Sequence, residues 1–444
     1  MIRYVIPLIA LVGLLASGCD SALPTGGSTP DSGSMGGTMS PDPDPQPDPD
    51  PAPNPDPDPD PDPDPMGMGG AVVPEPEPGI QITDVLSRIA NDLVLPTFVR
   101  FAEKAAVLET TTDEWAAAPM DATLREAART AWIEAVYTWQ HAELMQLGPA
   151  GADGKRIEGD DLRDRIYSWP ETRMCRIDQS LLSAEFREAD WLDGALFEVQ
   201  GLDAMEYLLY AEQAQNSCPA AVRINRDGLW EDEFSDMPSL TARRAELSAV
   251  LAGGVREAAT ELVTAFSVDG GNFAGALANG TEPYEGAKNA LNEVYAALFY
   301  VDKLIKDAKL GRPLGIAEGC DDDRCPEAFE SRHSGRGAAH LLANLDSFEA
   351  MFFGTVDGVA GPGFDDLLEA KDGAAVAARM AQNIAAARTA IEALGDNLGT
   401  ALTETPENVE SAHSAIKSVT DDFKGDVVTI LDLEVPREGS GDSD

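Results

Sequence analysis

The chain has 444 residues, with 78 Asp or Glu against 32 Lys or Arg, a formal net charge of −46. A chain this acidic lacks the cationic field that neutralises phosphate, so nucleic acid and anionic lipid surfaces are excluded as partners of its overall charge. Aromatic residues are only 6% and alanine is abundant, which points to helix, and residues 79–444 suffice for a large core.

Met1–Gly18 carries one basic residue, Arg3, before an apolar run from Tyr4 to Ala16. That run is too short to span a bilayer but suits an export signal. It ends Leu15-Ala16-Ser17-Gly18-Cys19, which resembles a bacterial lipobox with its Leu one place early. Residues 1–18 are thus expected to be a lipoprotein signal peptide. Lipid on Cys19 would be the membrane contact; an ordinary cleaved signal with an incidental Cys is the alternative. The expected location is the cell envelope, lipid-anchored, periplasmic or surface-facing.

Residues 19–78 are expected to be a disordered Pro/Asp-rich tether. Pro41–Pro65 is nearly strict Pro-Asp alternation. Proline fixes φ, removes a donor and pushes its neighbour to extended geometry, while the Asp charges repel. The stretch should be a polyproline II spacer, on the order of 75 Å long at about 3.1 Å per residue.

Beyond position 79, helical spacing dominates. Val85, Ile89, Leu93, Phe98, Phe101 and Ala105 share a stripe over Ile82–Leu108, interrupted by Pro96. Thr123 and Glu126 form a candidate capping box for a run through Ala128, Ala131, Ala135, Trp139 and Ala142, ended by Gly148-Pro149. Trp132, Tyr137 and Trp139 are expected in the core. Segment 150–190 reads as irregular. Further helices are expected over Ala195–Ala214, Pro238–Phe266, 284–309, 331–353, 374–395 and 406–432, with loops over 267–283 and 310–330. The fold class is therefore all-α: two packed helical bundles, roughly 79–266 and 284–444, after the linker.

Four cysteines follow Cys19: Cys175, Cys218, Cys320 and Cys325. An even number after an export signal suggests two disulfides, and three pairings are possible; Cys320–Cys325 with Cys175–Cys218 is the most economical. No Cys-x-x-Cys occurs, and no His stands at zinc spacing from a Cys. There is no Gly-x-Ser-x-Gly for a serine hydrolase and no phosphate-binding Gly loop followed by Lys.

Several segments together resemble one family. Leu93-Val94-Leu95-Pro96, Trp139-Gln140-His141-Ala142-Glu143, Arg165-Ile166-Tyr167-Ser168-Trp169-Pro170, Leu310-Gly311-Arg312 and Glu330-Ser331-Arg332-His333-Ser334-Gly335 keep an order similar to the imelysin-like proteins, in particular their lipoprotein branch. Gly201-Leu202-Asp203-Ala204-Met205-Glu206 stands where that family carries Gly-x-His-x-x-Glu. The resemblance covers about 79–444. It implies a two-bundle helical fold with a site where the bundles meet, a cell-envelope location and a link to iron acquisition. Part of the family is classed with metallopeptidases on the strength of its His-x-x-Glu. Here Asp203 replaces that His, and none of the four histidines begins a His-x-x-Glu. Zinc hydrolysis draws on imidazole ligation and a general base, so this reading leans against an enzyme.

Asp203 and Glu206, at i and i+3, fall on one helix face, and carboxylates are hard oxygen ligands suited to a divalent metal or iron. Glu143 is the candidate third ligand. Arg332, His333 and Ser334 are candidates for a supporting or ligand-binding role. Met205, Tyr207, Leu208 and Leu209 flank Glu206, and a carboxylate in such a setting needs a partner. That partner could equally be an arginine, Arg332 or Arg173, in a buried ion pair without any ligand. His340 reads as a core or interface histidine, His413 as a helix-surface one and His141 as a packing one. Two classes of function follow: an envelope protein that binds a metal ion or metal complex for iron uptake, or a metal-free scaffold for an envelope protein partner. A metallopeptidase is the third.

Overall fold

Proline in the first long helix shows how this chain bends helices without ending them. The computed structural model describes residues 79–320 and 322–436. Ile82–Ser87 is α-helical, Arg88–Val94 widens into a π-helix, and Leu95–Ala117 continues as α-helix. Pro96 cannot donate to the ladder, and the π turn just before it absorbs the missing bond, so the helix runs on. Two further π segments follow: Val301–Gly311, which ends in a turn, and Phe423–Val427, which lies between two α-helical stretches.

The next helix, Ala122–Ala142, begins earlier than the expected capping box. Its cap is Asp121, whose carboxylate accepts from the amides of Thr123 and Leu124. An Asp at this position satisfies two orphan amides and sits well against the positive end of the helix dipole. Trp132 and Trp139 are buried as expected, but Tyr137 is 45% exposed and only edges onto His141, so it is not part of the core.

Leu95–Ala117 packs on both Ala122–Ala142 and the 30-residue helix Met237–Phe266, which in turn packs on Gly201–Tyr210. A second group joins Gly337–Phe352, Ala374–Glu392, Pro406–Asp422 and the π segment Val301–Gly311. The groups meet where Gly337–Phe352 packs against Ala122–Ala142, and Ile82–Ser87 reaches Phe273–Asn279 and Ala287–Leu298. One hydrophobic cluster runs through both, from Val85 to Leu433, and the described residues form one compact unit. The architecture is all-α; among the described residues there is no strand, only a single antiparallel bridge between Val356 and Val359. None of the described helices is long and apolar enough to cross a membrane.

The expected helix over Ala195–Ala214 is shorter, Gly201–Tyr210, preceded by a 3₁₀ turn at Phe197–Val199. Gly201 sets its start. Its φ is +79°, and a Cβ there would lie 2.6 Å from the Ile166 carbonyl oxygen. Only glycine lets this helix begin so close to the 166–168 backbone. Segment 150–190 contains Leu162–Ile166 and Met174–Ser183, and the expected loop 267–283 contains Phe273–Asn279. Cys175 is joined to Cys218 and Cys320 to Cys325. The expected export signal, Cys19 and the expected Pro/Asp tether lie outside the described residues.

Candidate functional site

Gly201–Tyr210 is buried along nearly its whole length, so both its carboxylates are forced inside: Asp203 is 7% exposed and Glu206 5%. They line one cavity of about 430 Å³, together with Trp169, Met174, Arg312 and Arg332. Segments far apart in sequence thus converge on the helix: the stretch after Trp169, the stretch after the π segment, and 327–332.

The Asp203 carboxylate is poorly satisfied. Its Oδ2 accepts from the Ser168 hydroxyl at a long 3.5 Å, and its Oδ1 is buried with no hydrogen-bond partner among the described residues. Glu206 Oε1 accepts two main-chain amides, from His333 at 3.2 Å and Ser334 at 2.8 Å. Burial pushes both acids up to about 7; backbone amides and Arg163 pull against this at Asp203, and at Glu206 hydrogen bonds from Ser334 pull against it while the charge of Glu330 adds to it.

His333 and Ser334 therefore reach the Asp203–Glu206 helix, while Arg332 only lines the same cavity and forms no ion pair with Glu206. Arg332 donates instead to the Glu327 carbonyl oxygen at 3.2 Å and to His333 Nε2 at 3.3 Å, and Arg173 pairs with Glu171 at 3.2 Å. The His333 ring packs on Tyr207, 5.4 Å between centroids. Burial, reinforced by Arg332 and Arg244, lowers its pKa to about 4, leaving a neutral imidazole at pH 7.

Glu143 lies in a neighbouring, differently built region. It meets Arg163 at 3.0 Å and Lys309 at 3.2 Å, and all three are buried or nearly so. Lys309 Nζ also reaches Gln140 Oε1 at 2.7 Å, Asn344 Oδ1 at 2.6 Å and Glu330 Oε1 at 3.0 Å. Glu330 accepts further from the Tyr167 hydroxyl at 2.7 Å, and His340 Nδ1 lies 3.5 Å from its other oxygen. Burial would raise the Glu330 pKa, but Lys309, His340 and Tyr167 outweigh it and hold it at about 2. Two cations face the two buried carboxylates here, with the less buried Asp164 also on Arg163 at 2.7 Å, and such pairing is the condition under which buried charge is tolerated. Trp169 divides the regions: it lines the cavity, and Lys309 Nζ lies 5.9 Å from its ring centroid.

Glu143 is therefore committed to two cations. Among the described residues no group of three or more His, Cys, Asp and Glu is placed to hold a metal. The other histidines fall in three environments: His340 is buried with Ser331 Oγ 3.2 Å from Nδ1, His141 is partly buried against Tyr137, and His413 is half-buried. Sequence reasoning passed over Lys309, Glu330, Tyr167, Arg163, Gln140 and Asn344. Glu330, Tyr167 and Gln140 stand inside segments that resembled the family, and that was their only signal.

With this geometry in view, the comparisons with known proteins are consistent. The imelysin family model (Peptidase M75) matches residues 94–424, and the chain belongs to that family. An imelysin-like protein from Psychrobacter arcticum 273-4 superposes with a TM-score of 0.59 at 18% identity, covering 80% of this chain and 98% of that one. A protein described as an iron-regulated protein A precursor, from Parabacteroides distasonis ATCC 8503, gives 0.61 at 16% identity, covering 80% and 97%. These two likenesses bear on the fold. No curated protein matches the chain.

Proposed function

We propose that this imelysin-family chain is a cell-envelope binding protein, tethered through lipid on Cys19, whose Asp203–Glu206 cavity takes a metal ion or metal complex for iron uptake. The observation that carries the reading is Asp203 itself: a buried carboxylate whose Oδ1 makes no hydrogen bond to a described residue and which nearby main-chain amides do not compensate, on the wall of a cavity it shares with a second buried carboxylate. An uncompensated buried carboxylate is costly, and a cation is the partner that best offsets that cost. The donor set suits a hard cation such as Mn²⁺ or iron; Asp203 and Glu206 would hold it, and when bound it would supply positive charge and coordination positions for further oxygen ligands. The likeness to a protein described as iron-regulated favours iron. Binding is favoured over peptide hydrolysis because the cavity is lined by carboxylates, two of them buried, and by no histidine: His333 gives Glu206 an amide, and its ring packs on Tyr207.

Calorimetric titration of the full chain with Mn²⁺, and with Fe²⁺ under anaerobic conditions, tests this. One saturable site is expected, lost in the Asp203→Ala/Glu206→Ala variant. Unchanged affinity in that variant would remove these residues from the site. No binding of either ion would turn attention to an envelope protein partner.

A further inference from the structure

The same cavity carries a second chemistry on its exposed side. Arg312 and Arg332 both line it, Arg312 half-buried and Arg332 exposed. In a chain with 78 acidic residues most arginines find a carboxylate, yet neither of these forms an ion pair with a described residue. Arg312 donates to the Glu318 carbonyl oxygen at 3.0 Å. Arg332 donates to the Glu327 carbonyl oxygen, to His333 Nε2 and, at 2.6 Å, to the Met174 sulfur. Glu327 also lines the cavity, but it is exposed and offers Arg332 only its main chain. Arg173 is occupied by Glu171. The cavity is thus polarised, with two buried carboxylates on one side and two guanidiniums without acidic partners on the other.

Its size argues in the same direction. A volume of about 430 Å³ is far more than a bare ion fills and falls in the range of small-molecule sites, roughly 300–1,000 Å³. Two protein carboxylates also fall short of the roughly six oxygen ligands that hard cations prefer. A small chelator would complete the coordination, and its outward carboxylates would meet the arginines, whose planar forks match that group. Resting on the metal reading above, we infer that the ligand is a metal ion carried by a small polycarboxylate or hydroxycarboxylate chelator, with Arg312 and Arg332 selecting the chelator. Such a complex is anionic and would be repelled by the chain's overall charge. That field is screened over about 8 Å at physiological salt, so two local guanidiniums can decide the outcome.

The test titrates the full chain with three probes: ferric citrate, citrate alone and Mn²⁺ alone. The variants are Arg312→Gln/Arg332→Gln, the exposed single Arg332→Gln, and Asp203→Asn/Glu206→Gln, each checked for an unchanged melting profile without ligand in the two arginine cases. The arginine double variant is expected to weaken ferric citrate at least tenfold while leaving Mn²⁺ affinity within about twofold, and Arg332→Gln should weaken ferric citrate in the same direction. Ferric citrate binding that is indifferent to both arginine variants, beside Mn²⁺ binding that needs Asp203 and Glu206, overturns the chelate inference and leaves the metal reading standing. Citrate alone binding as tightly as ferric citrate, and surviving Asp203→Asn/Glu206→Gln, overturns both. Failure of the wild type to bind ferric citrate or Mn²⁺ also overturns both.

Discussion

Glu330 and Asp203 are both buried carboxyl groups, and their pKa values move in opposite directions. Glu330 receives the Lys309 ammonium, the Tyr167 hydroxyl and Gln140, and sits at about 2. Asp203 receives one long side-chain bond from Ser168 and help from main-chain amides, has no cation bonded to it, and is pushed up to about 7 by burial. Burial acts on both in the same sense, so the difference lies in the partners. The Lys309 region shows what this fold does with charge it needs for its own cohesion: it sets Lys309 and Arg163 against Glu143 and Glu330 and adds neutral donors around them. Against that standard the Asp203–Glu206 pair is incomplete. Both regions keep an unpartnered buried oxygen, Glu330 Oε2 in one and Asp203 Oδ1 in the other, but only the first has cations beside its carboxylates.

The largest effect should come from breaking the Lys309 region. Lys309→Met leaves Glu143 with Arg163 alone and Glu330 with only neutral donors and His340. Removing one partner of a buried pair typically costs ~3–5 kcal/mol, so urea unfolding at pH 7 should show a loss of that size. Lys309→Met combined with Glu330→Gln should cost less than the two single changes added together, because the second change removes the charge stranded by the first. A loss below about 1 kcal/mol in Lys309→Met would mean that the network is effectively solvated, and the contrast between the regions would collapse.

A smaller loss is expected from the residue that seats the incomplete region. Gly201→Ala forces φ of +79° on an L side chain and drives its Cβ into the Ile166 carbonyl. A destabilisation of about 2–3 kcal/mol is expected from strain and overpacking together. The shift in the helix should also weaken metal binding at Asp203, measured by the same titration. Stability and binding both unchanged would show that the helix start can move without disturbing the site.

How much of this was legible follows from what each signal depends on. The helical class and most long helices came from apolar spacing, which survives in any sequence that buries one face. Asp203 and Glu206 could be read because they sit on a single helix among apolar neighbours. Lys309 and Glu330 could not: their partners Gln140, Glu143, Tyr167 and Asn344 lie on other elements, and no spacing within one segment encodes that meeting. The π segments escaped because a search at 3.6 residues per turn does not register a turn that widens, and Val301–Gly311 is the element that carries Lys309. Phe273–Asn279, at seven residues, is too short for periodicity to accumulate. The overlong Ala195–Ala214 helix has a different cause: glycine is compatible with a helix interior, and nothing local reveals that Gly201 must instead take positive φ to pass the Ile166 backbone. The apolar neighbours of Glu206 call for a partner; main-chain amides of His333 and Ser334 supply part of it at Oε1, and amides carry no sequence signature.

The smallest effect is also the one that separates the two regions most cleanly, through pH. The ordinary values of Asp203 and Glu206 are 3.8 and 4.5, and in the fold both stand at about 7. Between those limits the native state binds more protons than the unfolded chain, so the contribution of these groups to stability is greatest below about pH 4 and declines as pH rises towards 7. Glu330 behaves oppositely: its contribution is present above 4.5 and is lost as pH falls through about 2. Asp203→Asn/Glu206→Gln removes the first dependence and leaves the second. At pH 8, without metal, the variant should be more stable than wild type by only about 1 kcal/mol, because the buried amides need partners of their own and give back part of the gain. At pH 4.5 the advantage should vanish or reverse. Urea unfolding of both proteins across pH 4–8, with chelator present, reads the difference directly. A variant curve parallel to wild type throughout would show that Asp203 and Glu206 titrate normally, and that the cavity wall is wet rather than waiting for a cation.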